Sequence, residues 1–182
     1  NSDKKTDRVD AQELSRILYL GSVPESYVPP EQIRECRALV RGRHSLLKTR
    51  TEYVNKIHGV LADTGITTKV RPLSVNGREF LAELSLPAPW DTLLDSYLEV
   101  VDSLTAEKER LEAKIEARAE SHNETQLMMT VPGISHLTAL TVYAEIGEVE
   151  RFAGHKQVVS YAGLNPTIRE SGDSRFEGSI SK

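Results

Sequence analysis

The chain has 182 residues, 38% hydrophobic and 27% charged, with a net charge of -4. That length supports one core or a small domain with an extended arm, and only 5% aromatic content favours helices packed on Leu, Ile, Val and Ala. One cysteine, Cys36, excludes an internal disulfide and a cysteine-rich zinc site; with polar first residues and no apolar run near the roughly 18–20 residues that cross a bilayer, a cytoplasmic, membrane-free protein is expected.

Thr6 or Asp7 can cap a first helix, with Asp10 favoured by the positive helix end. Leu14, Ile17 and Leu18 give it an apolar side, and Gly21 followed by Pro24, Pro29 and Pro30 closes it. From about Glu31 to Ala62, Ile33, Cys36, Val40, Leu47, Val54, Ile57 and Leu61 recur at alternating steps of three and four, which predicts a long helix with Arg43 and Arg50 intruding on its seam. Asp63-Thr64-Gly65 ends that helix. Thr67 to Asn76 is expected to connect as loop or short strand, and Gly77 to Leu84 as a short helix.

A second long helix is predicted from Trp90-Asp91 to about Ser121, with Leu94, Tyr97, Val101, Leu104, Lys108, Leu111 and Ile115 as its stripe. Lys108 in that seam either fixes register as a buried cation or snorkels to solvent. The two long helices are expected to form an antiparallel coiled-coil arm that associates with a second copy. Their charges differ: residues 31–60 hold seven Lys or Arg against three acids, whereas residues 91–120 hold four against nine. A basic helix of this kind lies on phosphates or is matched by the acidic one, and both readings stay open.

Leu127 to Gly147 reads as a helix, the turn Val131-Pro132-Gly133-Ile134 and a second helix, a helix-hairpin-helix pattern. Backbone amides at Gly133 and Ser135 would suit a phosphate; a plain interhelical turn is the alternative. Lys156 to Ala162 is expected as a short helix, and Thr167 to Ser179, polar and glycine-bearing, as a segment without fixed structure. His44, His58, His122, His136 and His155 show no zinc-like spacing with a carboxylate and are read as surface or packing residues. The lack of a glycine-rich phosphate loop argues against an ATP-driven enzyme.

Three stretches carry a family likeness: Lys5-Thr6-Asp7-Arg8-Val9-Asp10-Ala11, the Val131 to Ile134 turn, and Arg151-Phe152 through Ser160-Tyr161-Ala162-Gly163-Leu164-Asn165-Pro166, followed by Ser171-Gly172 and Gly178-Ser179-Ile180-Ser181-Lys182. Together they resemble the DEDD-type insertion-sequence transposases, the IS-one-ten family of RNA-guided DNA recombinases. On spacing alone Asp7 and Asp10 are an ordinary acidic first turn or a pair of hard ligands. The resemblance implies that they are magnesium ligands of an RNase-H-like nuclease domain, and that Ser171 is the nucleophile, with Ser174 as the alternative one turn away.

By the same resemblance residues 1–25 are the terminal segment of the nuclease domain, 26–122 a helical coiled-coil region, and 123–182 a truncated C-terminal transposase domain. Expected partners are DNA, a structured guide RNA and further copies of the chain. Arg34, Arg37, Arg41, Lys48 and Arg50 are candidates for contacting a nucleic-acid backbone. The resemblance implies a magnesium site of four carboxylates, of which this chain carries Asp7 and Asp10, so it is expected to hold no magnesium strongly and to be inactive alone. The expected function is cutting and rejoining DNA strands; a non-catalytic coiled-coil dimer with a helix-hairpin-helix DNA-binding module is the alternative.

Overall fold

The computed structural model describes residues 7–22, 26–68, 71–164, 166–171 and 174–180. It is mainly helical: α1 (Asp7–Tyr19), α2 (Glu31–Asp63), α3 (Val75–Ala82), α4 (Trp90–Glu120), α5 (Asn123–Met129), α6 (His136–Ile146) and α7 (His155–Tyr161), then strands β1 (Pro166–Ser171) and β2 (Ser174–Ile180). No described helix is long and apolar enough to cross a membrane.

α2 and α4 run antiparallel, as their contacts show: Glu35 with Arg118, Arg43 with Glu112, Arg50 with Thr105 and Tyr53 with Tyr97. The apolar stripe divides into two cores. At one end Ile57, Val60 and Leu61 of α2 close on Leu94 and Val101 of α4 and on Leu81 of α3. At the other, Cys36 and Val40 meet Ile115 and Ala119, and Leu140 and Ala144 of α6 complete the packing. Ile57, Val101, Ile115 and Leu140 are at most 1% exposed, so each contributes about 1.5–3 kcal/mol of apolar burial.

Between the two cores lies a polar waist, and it resolves the charged seam positions. Arg43 donates to Glu112 Oε1 at 2.9 and 2.6 Å, Lys108 reaches Glu112 Oε2 at 2.8 Å, and Arg50 donates to Thr105 Oγ1 at 2.8 Å. Lys108 is neither a lone buried cation nor a solvated one. It is half-buried and paired along its own helix.

Two local expectations are corrected. α3 begins at Val75 rather than Gly77, because Ser74 caps it: the Ser74 hydroxyl accepts from Gly77 N at 3.1 Å and donates to Arg71 O at 2.8 Å. The segment from Thr167 to Ser179, expected without fixed structure, forms an antiparallel hairpin in which Ile168 pairs with Glu177, Arg169 with Phe176 and Glu170 with Arg175. Thr, Ile and Phe suit extended backbone, and a carboxylate-bearing residue opposite an arginine is a favourable cross-strand pair. The expected end of α1 holds: Ser22 N bonds Ile17 O and Gly21 N bonds Leu18 O, both at 3.1 Å, and Gly21 takes the left-handed φ of 61° that this closure needs. Thr6, the other capping candidate, lies outside the described residues.

Candidate functional site

α5, its turn and α6 form a helical hairpin seated on α2 and α4. Thr125, buried on α5, donates to Ala119 O and, at 2.8 Å, to His122 O, which fixes the turn out of α4. The His122 ring stacks on Tyr143 of α6 with centroids 4.7 Å apart. In the turn, Val131 N bonds Met128 O and Ile134 N bonds Val131 O, both at 3.1 Å. Gly133 adopts φ 91°, and a Cβ there would meet nothing within 4 Å, so the turn is open to solvent. Ser135 then caps α6, its hydroxyl accepting from Thr138 N at 3.4 Å. The first amides of α6 therefore begin beside an exposed, uncluttered loop, a geometry that can take a phosphate oxygen.

The stretch from Arg151 to Leu164 is a clamp. The Arg151 guanidinium sits 4.2 Å from the Tyr27 ring centroid, 4.1 Å from Phe152 and 4.5 Å from Tyr161, and it donates to Ile146 O at 2.9 and 3.2 Å. One cation thereby joins the approach to α2, the last carbonyl of α6 and α7. Tyr27 closes the same corner by accepting from Glu148 N at 3.3 Å. α7 ends on Gly163 at φ 70°, with Leu164 N bonded to Val159 O at 3.0 Å, and the chain turns into β1. Ser171 ends β1 and pairs in register with Ser174, the first residue of β2. The two serine candidates are thus cross-strand partners in the backbone register; Gly172 and Asp173 between them lie outside the described residues.

The basic residues of α2 divide by partner. Arg37 donates to Ala144 O at 2.6 Å and Glu145 O at 3.0 Å, satisfying carbonyls near the end of α6. Arg41 makes a bidentate pair with Glu145 at 2.9 and 2.8 Å, which holds the Glu145 carboxyl below the usual carboxylate range. Arg50 serves the waist. Arg34 and Lys48 are exposed and have no ion-pair partner among the described residues. Glu112 is likewise held low, by Lys108 first and then by Arg43.

Asp7 and Asp10 lie in the first turn of α1, both exposed and three residues apart. Their hard oxygen donors suit magnesium, but no third His, Cys or carboxylate ligand joins them among the described residues, so they would leave most of an ion's coordination to water. α1 buries none of its residues, and no extended described packing joins it to the hairpin of Ser171. A cluster with almost no signature in the sequence lies elsewhere: Glu116, Glu120 and His136 bring ligand atoms within 4.8 Å of one another. Only the i,i+4 spacing of the two glutamates hinted at it. The histidine arrives by tertiary packing.

Residues 125–182 match a family described as transposase IS116/IS110/IS902, and residues 1–66 match the DEDD-type IS110 transposase family. The chain is 28% identical over 188 residues to the transposase for insertion sequence element IS1111A of Coxiella burnetii, covering 98% of this chain and 50% of that protein. It is 25% identical over 182 residues to the transposase for insertion sequence element IS1328 of Yersinia enterocolitica, covering 98% and 54%. Over 98 residues it is 34% identical to an insertion element IS110 protein of 43.6 kDa from Streptomyces coelicolor, covering 52% and 24%. The chain spans about half the length of the curated relatives that it matches along nearly its whole length.

Proposed function

We propose that this chain, whose two ends match models of the IS110 group of insertion-sequence transposases, is part of a cytoplasmic DNA recombinase that cuts and rejoins strands during transposition, with Ser171 as nucleophile. The observation that carries this reading is the placement of Ser171 at the end of β1, directly after the Arg151 clamp has fixed the preceding helix to the rest of the fold. A nucleophile at the tip of a hairpin can enter a DNA groove, while the clamp fixes the helix that precedes the hairpin in sequence.

In the step proposed, the Ser171 hydroxyl loses its proton and its oxygen attacks phosphorus. A new serine–phosphate ester forms as the bond from phosphorus to the deoxyribose oxygen breaks, and that oxygen takes up a proton. The ester conserves the bond for rejoining to a second strand. Asp7 and Asp10 would hold magnesium as part of a larger carboxylate set; when bound, the ion polarises the phosphate and offsets its charge. Arg34 and Lys48 are placed to meet a nucleic-acid backbone, DNA or a structured guide RNA, and Arg41 could join them by exchanging Glu145 for a phosphate. Arg37 and Arg50 support that surface from inside. Gly133 and Ser135, in the open turn before α6, supply a sequence-independent phosphate contact of the helix-hairpin-helix kind. A second copy joined through the α2–α4 coiled-coil arm would bring the carboxylates and the serine of different protomers together.

The test mixes the whole protein with donor and target DNA, guide RNA and magnesium and looks for a protein–DNA adduct on a denaturing gel. An adduct that vanishes in Ser171→Ala supports the reading. No adduct under any of these conditions favours a non-catalytic DNA-binding module.

A further inference from the structure

Glu116 and Glu120 stand one turn apart on α4, facing His136, the first residue of α6. The imidazole lies between the carboxylates, Nδ1 4.0 Å from Glu116 Oε1 and Nε2 3.6 Å from Glu120 Oε1. Three other acids of α4 are matched by strong cations, Asp102 by Arg78, Glu107 by Arg110, and Glu112 by Arg43 and Lys108, while Asp91, Asp95, Glu99 and Glu109 have no ion-pair partner among the described residues. Glu116 and Glu120 face neither Lys nor Arg among the described residues, only this histidine. Glu116 and His136 line an open groove with Glu109 and Ser135, where Glu109 adds a further negative charge and Glu112 is already paired with Arg43 and Lys108.

We propose that Glu116, Glu120 and His136 bind a divalent transition-metal ion of the zinc class, tying the start of α6 to α4. An imidazole nitrogen and carboxylate oxygens are all zinc donors, and three protein ligands leave the fourth position to water. Bonds of about 2.0–2.2 Å place tetrahedral ligand atoms roughly 3.4 Å apart. The 3.6 and 4.0 Å separations run to different ring nitrogens, but one ligand atom from each residue lies within 4.8 Å of the others, so turning the exposed glutamates toward a single nitrogen brings the three to a common centre. The histidine is held in place, because Ser135 caps the helix that it begins. An imidazole ligand also selects against magnesium, which prefers oxygen.

The site has a consequence for the neighbouring turn. Two uncompensated carboxylates beside the first amides of α6 repel a phosphate, and a divalent ion cancels their charge. This consequence rests on the phosphate contact proposed above, whereas the ion site does not.

Cobalt(II), a coloured substitute for zinc, is titrated at neutral pH into the chain carrying Asp7→Asn and Asp10→Asn, and visible absorption is followed. The expected result is a saturable, one-to-one spectrum that zinc displaces. His136→Ala and Glu116→Gln should each weaken binding by about tenfold or more, with unchanged circular dichroism. Non-saturating absorption, or saturable binding indifferent to His136→Ala, overturns the proposal. A cobalt signal that requires Asp7 and Asp10 and is absent from their double variant also overturns it. None of these results depends on strand transfer, so failure here and failure of the recombinase reading are separable.

Discussion

Ser171 and Ser174 are cross-strand partners, the final pair of the β1–β2 hairpin, with only two residues between them. The assignment of Ser171 therefore has a direct competitor on the opposite strand. Ser171→Ala is expected to abolish the covalent protein–DNA adduct, while Ser174→Ala retains it at reduced yield. Mass spectrometry of the trapped peptide decides: a phosphodeoxyribose remnant on Ser174 would transfer the role to that residue.

The Arg151 clamp predicts a stability effect separable from chemistry. Its guanidinium is stacked among three rings and bonded to Ile146 O, so Arg151→Ala removes a cation–π cluster and leaves a helix-terminal carbonyl without its donor. We expect a loss of about 2 kcal/mol in urea unfolding at neutral pH. Arg151→Lys should recover less than half of it, because an ammonium lacks the planar fork that stacks and donates together. Full recovery by lysine would show that charge alone holds this corner.

These two sites differ in how far they could be read from residues alone. The long helices were visible because Ile33 to Leu61 and Leu94 to Ile115 repeat their apolar steps over many turns. The end of α1 was visible because Gly21 is a local signal. The hairpin was not: with Ile168 and Phe176 as its main β-formers among polar neighbours, the period-two pattern is too short to stand out. The roles of Arg37 and Arg41 were hidden for another reason. Their partners on α6 lie more than 100 residues away in sequence, so the positive charge was legible but its destination was not. The Glu116–Glu120–His136 cluster is of the same kind, since no spacing rule connects α4 to the start of α6.

The Arg41–Glu145 pair carries a pH dependence whose sign follows from its geometry. Arg41 lowers the Glu145 pKa in the fold chiefly through the bidentate hydrogen bond; burial opposes this, and the charges of Arg41 and then Arg37 add smaller lowering effects. A carboxylate with a depressed folded pKa stabilises the fold fully above its unfolded value, roughly 4.3, and the contribution is lost as pH falls through the folded value. Glu112 acts in the same direction through Lys108 and Arg43. Thermal unfolding of the unmodified chain should thus fall steeply below about pH 4. Glu145→Gln should unfold at a lower temperature than the unmodified chain at pH 7 and converge with it at strongly acidic pH. A constant difference across that range would mean that the carboxylate charge contributes nothing.

Gly77 tests how closely α3 is seated on its own lead-in. It lies in the first turn of α3 and is buried, and a Cβ there would overlap the Arg71 carbonyl oxygen and come within 2.8 Å of its carbon and 3.0 Å of the Pro72 carbonyl carbon. All three are backbone atoms that cannot swing aside. Helix propensity favours alanine over glycine by about 1 kcal/mol, so the sign of Gly77→Ala depends on which effect is larger. Overlap with fixed backbone dominates, and we expect a net destabilisation of about 1–3 kcal/mol. Gly59, inside α2, has nothing within 4 Å of its Cβ position, so Gly59→Ala is expected to stabilise by about 0.5–1 kcal/mol. Urea unfolding of the two variants side by side separates the effects: a stabilised Gly77→Ala would mean that the Arg71–Pro72 segment yields, and that α3 docks through Leu81 alone.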